Sequence, residues 1–256
     1  MTLSKNRSIP VLAFVAAFGM IFATGVAHSA EPPKVSSYAP AADLVDQAND
    51  YIKSLEKTVA CEEDYKDGQD KVAKDANTLI VIALALGLHD EKNEYQESAG
   101  SLMKAAHDVA ASTDYASAKK AVDELKAAAK KKSDVELKWE KVASLPDLMK
   151  QVPLINTKLK MKIKGKNFKK KAKDTQGYTA VLAVIAQGTM ADTSVTKDEA
   201  QVKQWQEFSA AARDLAGEVN AAIHKGDEEA AAAAMEKLNI SCEDCHAVFK
   251  PEEATK

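Results

Sequence analysis

Five residues near one end of the chain, Cys242-Glu243-Asp244-Cys245-His246, restrict its fold and chemistry more than any other stretch. A Cys-x-x-Cys-His run is the attachment signature of a c-type haem. On a helix, thiols three residues apart stand about one turn apart, at a rise of roughly 1.5 Å per residue. They reach the two vinyl groups on one porphyrin edge and form thioethers, and His246 then falls beneath the iron as proximal ligand. A thioredoxin-type dithiol calls for a βαβ context, and no strand signal lies nearby. A structural zinc site calls for four ligands, and Cys61, the remaining cysteine, is remote in sequence. Spacing alone leaves a simple disulfide open. Ala247 to Lys256 contain neither Met nor His, so the far face of the iron is covered from upstream or stays open.

Residues 1–30 read as an address. Lys5 and Arg7 form a basic start, Ile9 to Val26 is apolar, and small residues follow at Ala27, Ser29 and Ala30. That order is a secretory signal peptide, with cleavage after Ser29 the better fit. The stretch is about long enough to span a bilayer, so an uncleaved anchor is the alternative. A periplasmic location follows from the export signal. Without Lys5 and Arg7 the formal net charge moves from −3 to −5, which does not suggest a nucleic-acid binder.

Pro32, Pro33 and Pro40, with Ser36 and Ser37, mark an exposed lead-in. From Ala41 onward, Ala, Lys, Glu, Asp and Leu dominate, with apolar residues three and four apart. This predicts helices and no sheet. The chain also repeats itself. Asp43-Leu44-Val45-Asp46-Gln47 parallels Asp147-Leu148-Met149-Lys150-Gln151. Lys71-Val72-Ala73-Lys74-Asp75 parallels Lys170-Lys171-Ala172-Lys173-Asp174, and Asp114 to Leu125 parallels Asp227 to Leu238. The last register sets Ala129, Lys132 and Ser133 opposite Cys242, Cys245 and His246, so the first copy lacks the haem motif. Helices are expected at 41–60, 64–88, 92–112 and 114–131, then at 145–163, 167–188, 197–223 and 227–249, with 131–139 as connector. Ser144 is the expected cap of the fifth, with Pro146 in its first turn, and Asp227 suits the start of the last. Short connections between helices of similar length favour antiparallel four-helix bundles. The expected architecture is all-α: a signal peptide (1–30), a haemless helical repeat (31–138) and a haem-binding four-helix bundle (139–256).

With Phe249 and Lys250 following the motif, residues 140–250 resemble cytochrome c prime and its six-coordinate relatives. The resemblance implies one haem c per chain, held by Cys242, Cys245 and His246, with Phe249 packed on the porphyrin. It implies that the first helix of that bundle covers the distal face. In the six-coordinate relatives an Arg-x-x-x-Met-Lys stretch there supplies a Met ligand. Leu148-Met149-Lys150 is similar, with Leu145 at the Arg position, and Met149 is the candidate sixth ligand. High-spin members carry an apolar residue instead and bind small diatomic gases. A doubled bundle departs from the family's usual single one.

His224, ending the third helix of the haem copy, either offers a bis-His alternative or is a partly exposed histidine where a cation is comfortable. His89 and His107 read as surface residues of the haemless copy. Cys61 either joins two chains into a homodimer or sits half-buried as a lone thiol. Trp139 and Trp205 read as helix packing. Nine lysines between Lys158 and Lys173 would steer an acidic redox partner, lie on a membrane surface or form a solvated face. The sequence therefore points to an exported mono-haem electron carrier with a redox partner protein. A five-coordinate binder of NO or CO is the alternative, and an enzyme is the less favoured class.

Overall fold

Two helices carry uninterrupted apolar runs, and a helix apolar on every side must be buried. They are α2 (Glu62–Gly87), buried throughout Leu79 to Leu86, and α7 (Ala172–Thr189), buried from Thr179 to Ile185. In the computed structural model, which describes residues 32–250, these two pack on each other. Around them lie α1 (Ala41–Thr58), α3 (Ala99–Ala110), α4 (Tyr115–Ala128), α5 (Leu145–Lys162), α6 (Lys166–Lys170), α8 (Glu199–Lys225) and α9 (Glu228–Phe249). The described residues are all-α and contain no strand. The expected signal peptide lies outside them. No helix among them is long and apolar enough to cross a membrane.

Helix ends follow local chemistry. Ser144 Oγ accepts the Asp147 N–H at 3.4 Å, with Pro146 in the first turn. Asp114 forms a capping box with Ser117, and Asp227 accepts the Ala230 N–H at 2.9 Å. Gly226 ends α8 at φ 71°, a left-handed position that favours glycine.

Two expected boundaries are corrected. The third helix starts at Ala99 rather than near 92. Side chains there bind backbone instead: Asn93 accepts from the Tyr95 N–H at 3.1 Å and donates to the Leu86 carbonyl at 2.9 Å. Such bonds compete with the helical ladder. The expected 167–188 helix is interrupted at Lys171, giving α6 and α7. Two histidine and cysteine expectations change as well. His89 is buried, not on the surface: its Nε2 donates to the Ala39 carbonyl at 3.0 Å and its Nδ1 accepts the Glu91 N–H at 3.0 Å. Cys61 is exposed, not half-buried, and caps α2 by accepting the Asp64 N–H at 3.4 Å.

Helices α1 to α4 form a closed ring of contacts, with α1 against α4. The connector after α4 crosses α2 and α3 where glycine lets it approach. A Cβ on Gly87 would overlap Leu137 and stand 2.7 Å from the Ala99 Cβ. Helices α5, α7, α8 and α9 follow one another in space, yet α5 and α9 do not pack as α1 and α4 do. The two sets of helices share one hydrophobic core. Polar bonds join them too: Asn77 Oδ1 accepts the Ser144 N–H at 2.8 Å, and Gln151 Nε2 donates to the Tyr51 hydroxyl at 2.8 Å.

Candidate haem site

The gap between α5 and α9 is a cleft of about 440 Å³, within the range of roughly 300–1,000 Å³ usual for cofactor sites. Each helix contributes one stripe at helical spacing. From α5 come Leu145, Met149, Val152 and Asn156; from α7, Leu182, Ile185, Ala186 and Thr189. Helix α8 supplies Trp205, Phe208, Ser209 and Ala212, and α9 supplies Leu238, Ser241, Cys242, Cys245, His246 and Phe249. The walls are therefore largely apolar, and Lys150 and Lys250 add positive charge to the lining.

All five sequence candidates line this one cleft: Cys242, Cys245, His246 and Phe249 from one side, Met149 from the other. Their register is fixed by Asn156, which donates from Nδ2 to Asn239 Oδ1 at 3.0 Å across the gap. Helices α5 and α9 run antiparallel in the up-down order of the four. Met149 lies seven residues before Asn156, and His246 seven after Asn239. Both are thus about 10 Å along their helices from the same crossing, which sets them level. Pro153, four residues beyond Met149, has no N–H for the Met149 carbonyl, so the α5 ladder lacks a bond there.

Cys242 and Cys245 are half-buried thiols, not joined to each other in this structure. Burial raises the Cys242 thiol above its ordinary value, helped by the Glu243 charge and opposed by Lys160. Burial, with the Cys242 neighbour, pushes Cys245 up to about 11. Redox dithiols do the reverse, with a thiolate stabilised at a helix N-terminus or by cations. This pair sits near the C-terminal, negative end of α9. Among the described residues no three His, Cys, Asp or Glu side chains assemble into a metal-holding group. A porphyrin iron asks less of the chain, an axial ligand rather than a cage. An apolar slot, two neutral thiols one turn apart, an adjacent imidazole and a facing thioether together fit a covalently held haem.

Three lining residues were not singled out as site residues: Trp205, Phe208 and Asn156. Trp205 is 6% exposed, donates from Nε1 to the Thr189 carbonyl at 3.0 Å and meets the Phe249 ring edge-on at 5.2 Å. Phe208 meets the same ring at 6.3 Å. The signal was the spacing of Trp205, Phe208, Ser209 and Ala212, but an aromatic stripe at helical spacing reads equally as plain core. His224 is not in the lining. Its Nε2 bonds the Asp43 carboxylate at 2.8 Å, and Asn220 Nδ2 donates to the same oxygen at 2.8 Å. The histidine ties α8 to α1, and the bis-His alternative has no support in this placement. No protein-family model matches the chain, and neither does any curated protein or solved structure.

Proposed function

We propose that this chain is an exported mono-haem c-type cytochrome that carries electrons, with its haem in the α5–α9 cleft. One observation carries the reading: the Cys-x-x-Cys-His motif and Met149, from helices that stand apart, line the same apolar cleft at the same level. Cys242 and Cys245 would hold the porphyrin, and His246 and Met149 would ligate its iron. A bound haem supplies one-electron chemistry. The chain supplies its setting. Trp205, Phe208 and Phe249 exclude water, and the Met149 thioether favours the ferrous state; both raise the potential. The titratable groups lining the cleft are the two cysteines, His246, Lys150 and Lys250, which is not the acid–base set of a haem peroxidase and favours a carrier over a catalyst.

The internal repeat is part of this reading. Asp114 and Asp227, paired in the sequence register, both cap the last helix of their set. Helix α4 ends at Ala128, so the positions matched to the haem motif fall at or beyond its end, and α1 closes on α4. The first copy is a filled bundle and the second an open one. Its likeness to cytochrome c prime belongs to the same proposal.

A second reading keeps Met149 as wall. It is half-buried and packs against the core, and a Met that stays there leaves an open sixth position for NO or CO. Acid-acetone extraction followed by a pyridine haemochrome spectrum tests the haem itself, with one c-type haem expected to remain on each polypeptide. Haem that extracts freely would sink both readings. Absorption spectra with and without carbon monoxide separate them: a low-spin reduced form slow to take up the gas supports the carrier, and a high-spin form that binds it at once supports the gas binder.

A further inference from the structure

Between Lys158 and Lys173 the chain carries nine lysines and no acidic residue, within a mature protein of net charge −5. The fold holds this segment as one end of the bundle. Ile163 and Phe168 are buried, at 2% and 1% exposure, and Gly165 turns the chain at φ 64°. With those two side chains anchored, Lys164, Lys166, Lys169 and Lys170 are left exposed. Lys162 and Lys171 pair with Asp174 at 2.9 and 3.7 Å, and Lys173 with Asp46 at 2.8 Å. The four exposed lysines have no ion pair among the described residues. Glu228 accepts the Gly165 N–H at 2.6 Å. Met161, in the same lysine-rich segment, is 61% exposed, and Leu154, seven residues earlier on the same stripe, is 46% exposed.

Two partners of negative charge fit such a face, an acidic protein and an anionic bilayer, and the placement favours the bilayer. Lys162 lies 13 residues beyond Met149 on α5, about 20 Å along the helix. The exposed 164–170 stretch thus lies far along the bundle from Met149, although Lys160 stands close enough for its charge to act on Cys242, and a redox protein docked on that stretch would stand away from His246. The cations are all lysine, while the arginines of the chain are Arg7 and Arg213. Lysines act as mobile point charges rather than planar forks, which suits a diffuse headgroup surface more than one specific carboxylate or phosphate. Exposed apolar side chains within a basic face are the arrangement that enters the headgroup boundary.

We infer that the 158–173 end of the bundle is a peripheral docking face for an anionic phospholipid surface. Met161 enters the headgroup layer and the cleft is held at the end away from the bilayer. This does not depend on what the cleft binds. The test is co-sedimentation of the exported chain, from residue 30 onward, with vesicles of phosphatidylcholine alone or mixed with phosphatidylglycerol. The protein should bind the mixed vesicles, not the neutral ones, and release as salt shortens the screening length. Each Lys→Gln change at 164, 166, 169 or 170 should weaken partitioning about fivefold, and the fourfold variant at least about a hundredfold. Met161→Ser should weaken it a few-fold with the lysines intact. All variants lack residues 1–29, so the apolar stretch at 9–26 contributes nothing to binding, and circular dichroism checks that each is folded. Equal binding to neutral vesicles, or a fourfold variant that still binds, would overturn the inference. So would binding to soluble polyglutamate as tight as to mixed vesicles, which would assign the face to an acidic protein.

Discussion

Asn77, on α2, holds the helix bearing Met149, and exchanging it tests how the two sets of helices are joined. It is 5% exposed on α2. Its Oδ1 accepts the Ser144 N–H at 2.8 Å, and its Nδ2 donates to the Ala73 carbonyl at 2.9 Å and to Asp147 Oδ2 at 3.3 Å. Asn77→Asp keeps shape and the Ser144 bond, but turns the donor into a carboxylate facing two acceptors. Unit charges about 4 Å apart repel by about 4 kcal/mol at an effective dielectric of about 20. Lys150, 3.3 Å from Asp147, and the partial exposure of Asp147 reduce that, while the lost hydrogen bond adds about 1 kcal/mol. The expected cost is about 2–4 kcal/mol at pH 7. The crowded new carboxyl prefers its neutral form, so the penalty is full above its folded pKa and fades as pH falls through the ordinary carboxylate range. Adding Asp147→Asn restores a donor–acceptor pair with the roles exchanged and should recover about 2 kcal/mol. Guanidinium unfolding at pH 7 and at pH 4, with an unchanged slope, reads all of this. A cost below about 0.5 kcal/mol at pH 7, or no recovery in the double variant, would refute the idea that this contact ties α5 to α2.

Met149→Ala in the haem-loaded protein should open the sixth position, lower the potential and speed carbon monoxide uptake, whereas Met161→Ala, on the exposed lysine-rich end, should do none of these; a redox titration and gas-binding spectra compare them. Gly87→Ala should cost about 1–3 kcal/mol through forced overlap with Ala99 and Leu137, seen as a melting temperature lower by about 2–4 °C per kcal/mol. The Ser36 hydroxyl and N–H donate to Asp90 at 2.6 and 3.0 Å and hold its carboxyl down at about 2. A depressed acid lends stability above its unfolded value of about 3.9 and loses it as pH falls toward 2. Ser36→Ala should therefore raise the Asp90 titration toward the ordinary value, as carboxyl NMR would record, and shrink that acid loss.

Much of the candidate site was legible because its residues are local. Two thiols and an imidazole within five residues define their own spacing on a helix, and a Met followed by Lys near the start of another helix suggested the facing ligand. The capping residues Ser144 and Asp227 were equally readable, because a cap bonds backbone within three positions. What escaped was whatever depends on a neighbour far away in sequence. The aromatic lining from α8 looked like ordinary core until α9 lay beside it. His89 looked like a surface residue until Ala39 and Glu91 supplied partners for both ring nitrogens.

The sequence by itself determined that these residues form helices and roughly where most of them begin and end, and it pointed to one short run, Cys242 to His246, as the candidate for chemistry. Those depend on 3.6-residue periodicity, caps and motif spacing. Tertiary structure alone decided that α2 and α7 share a core between the halves, that α1 closes on α4 while α5 stands off α9, and that Asn156 and Asn239 set Met149 level with His246. An apolar stripe states that a helix face must leave water. It does not state which surface receives it, because burial is rewarded by area removed from solvent and not by the identity of the partner.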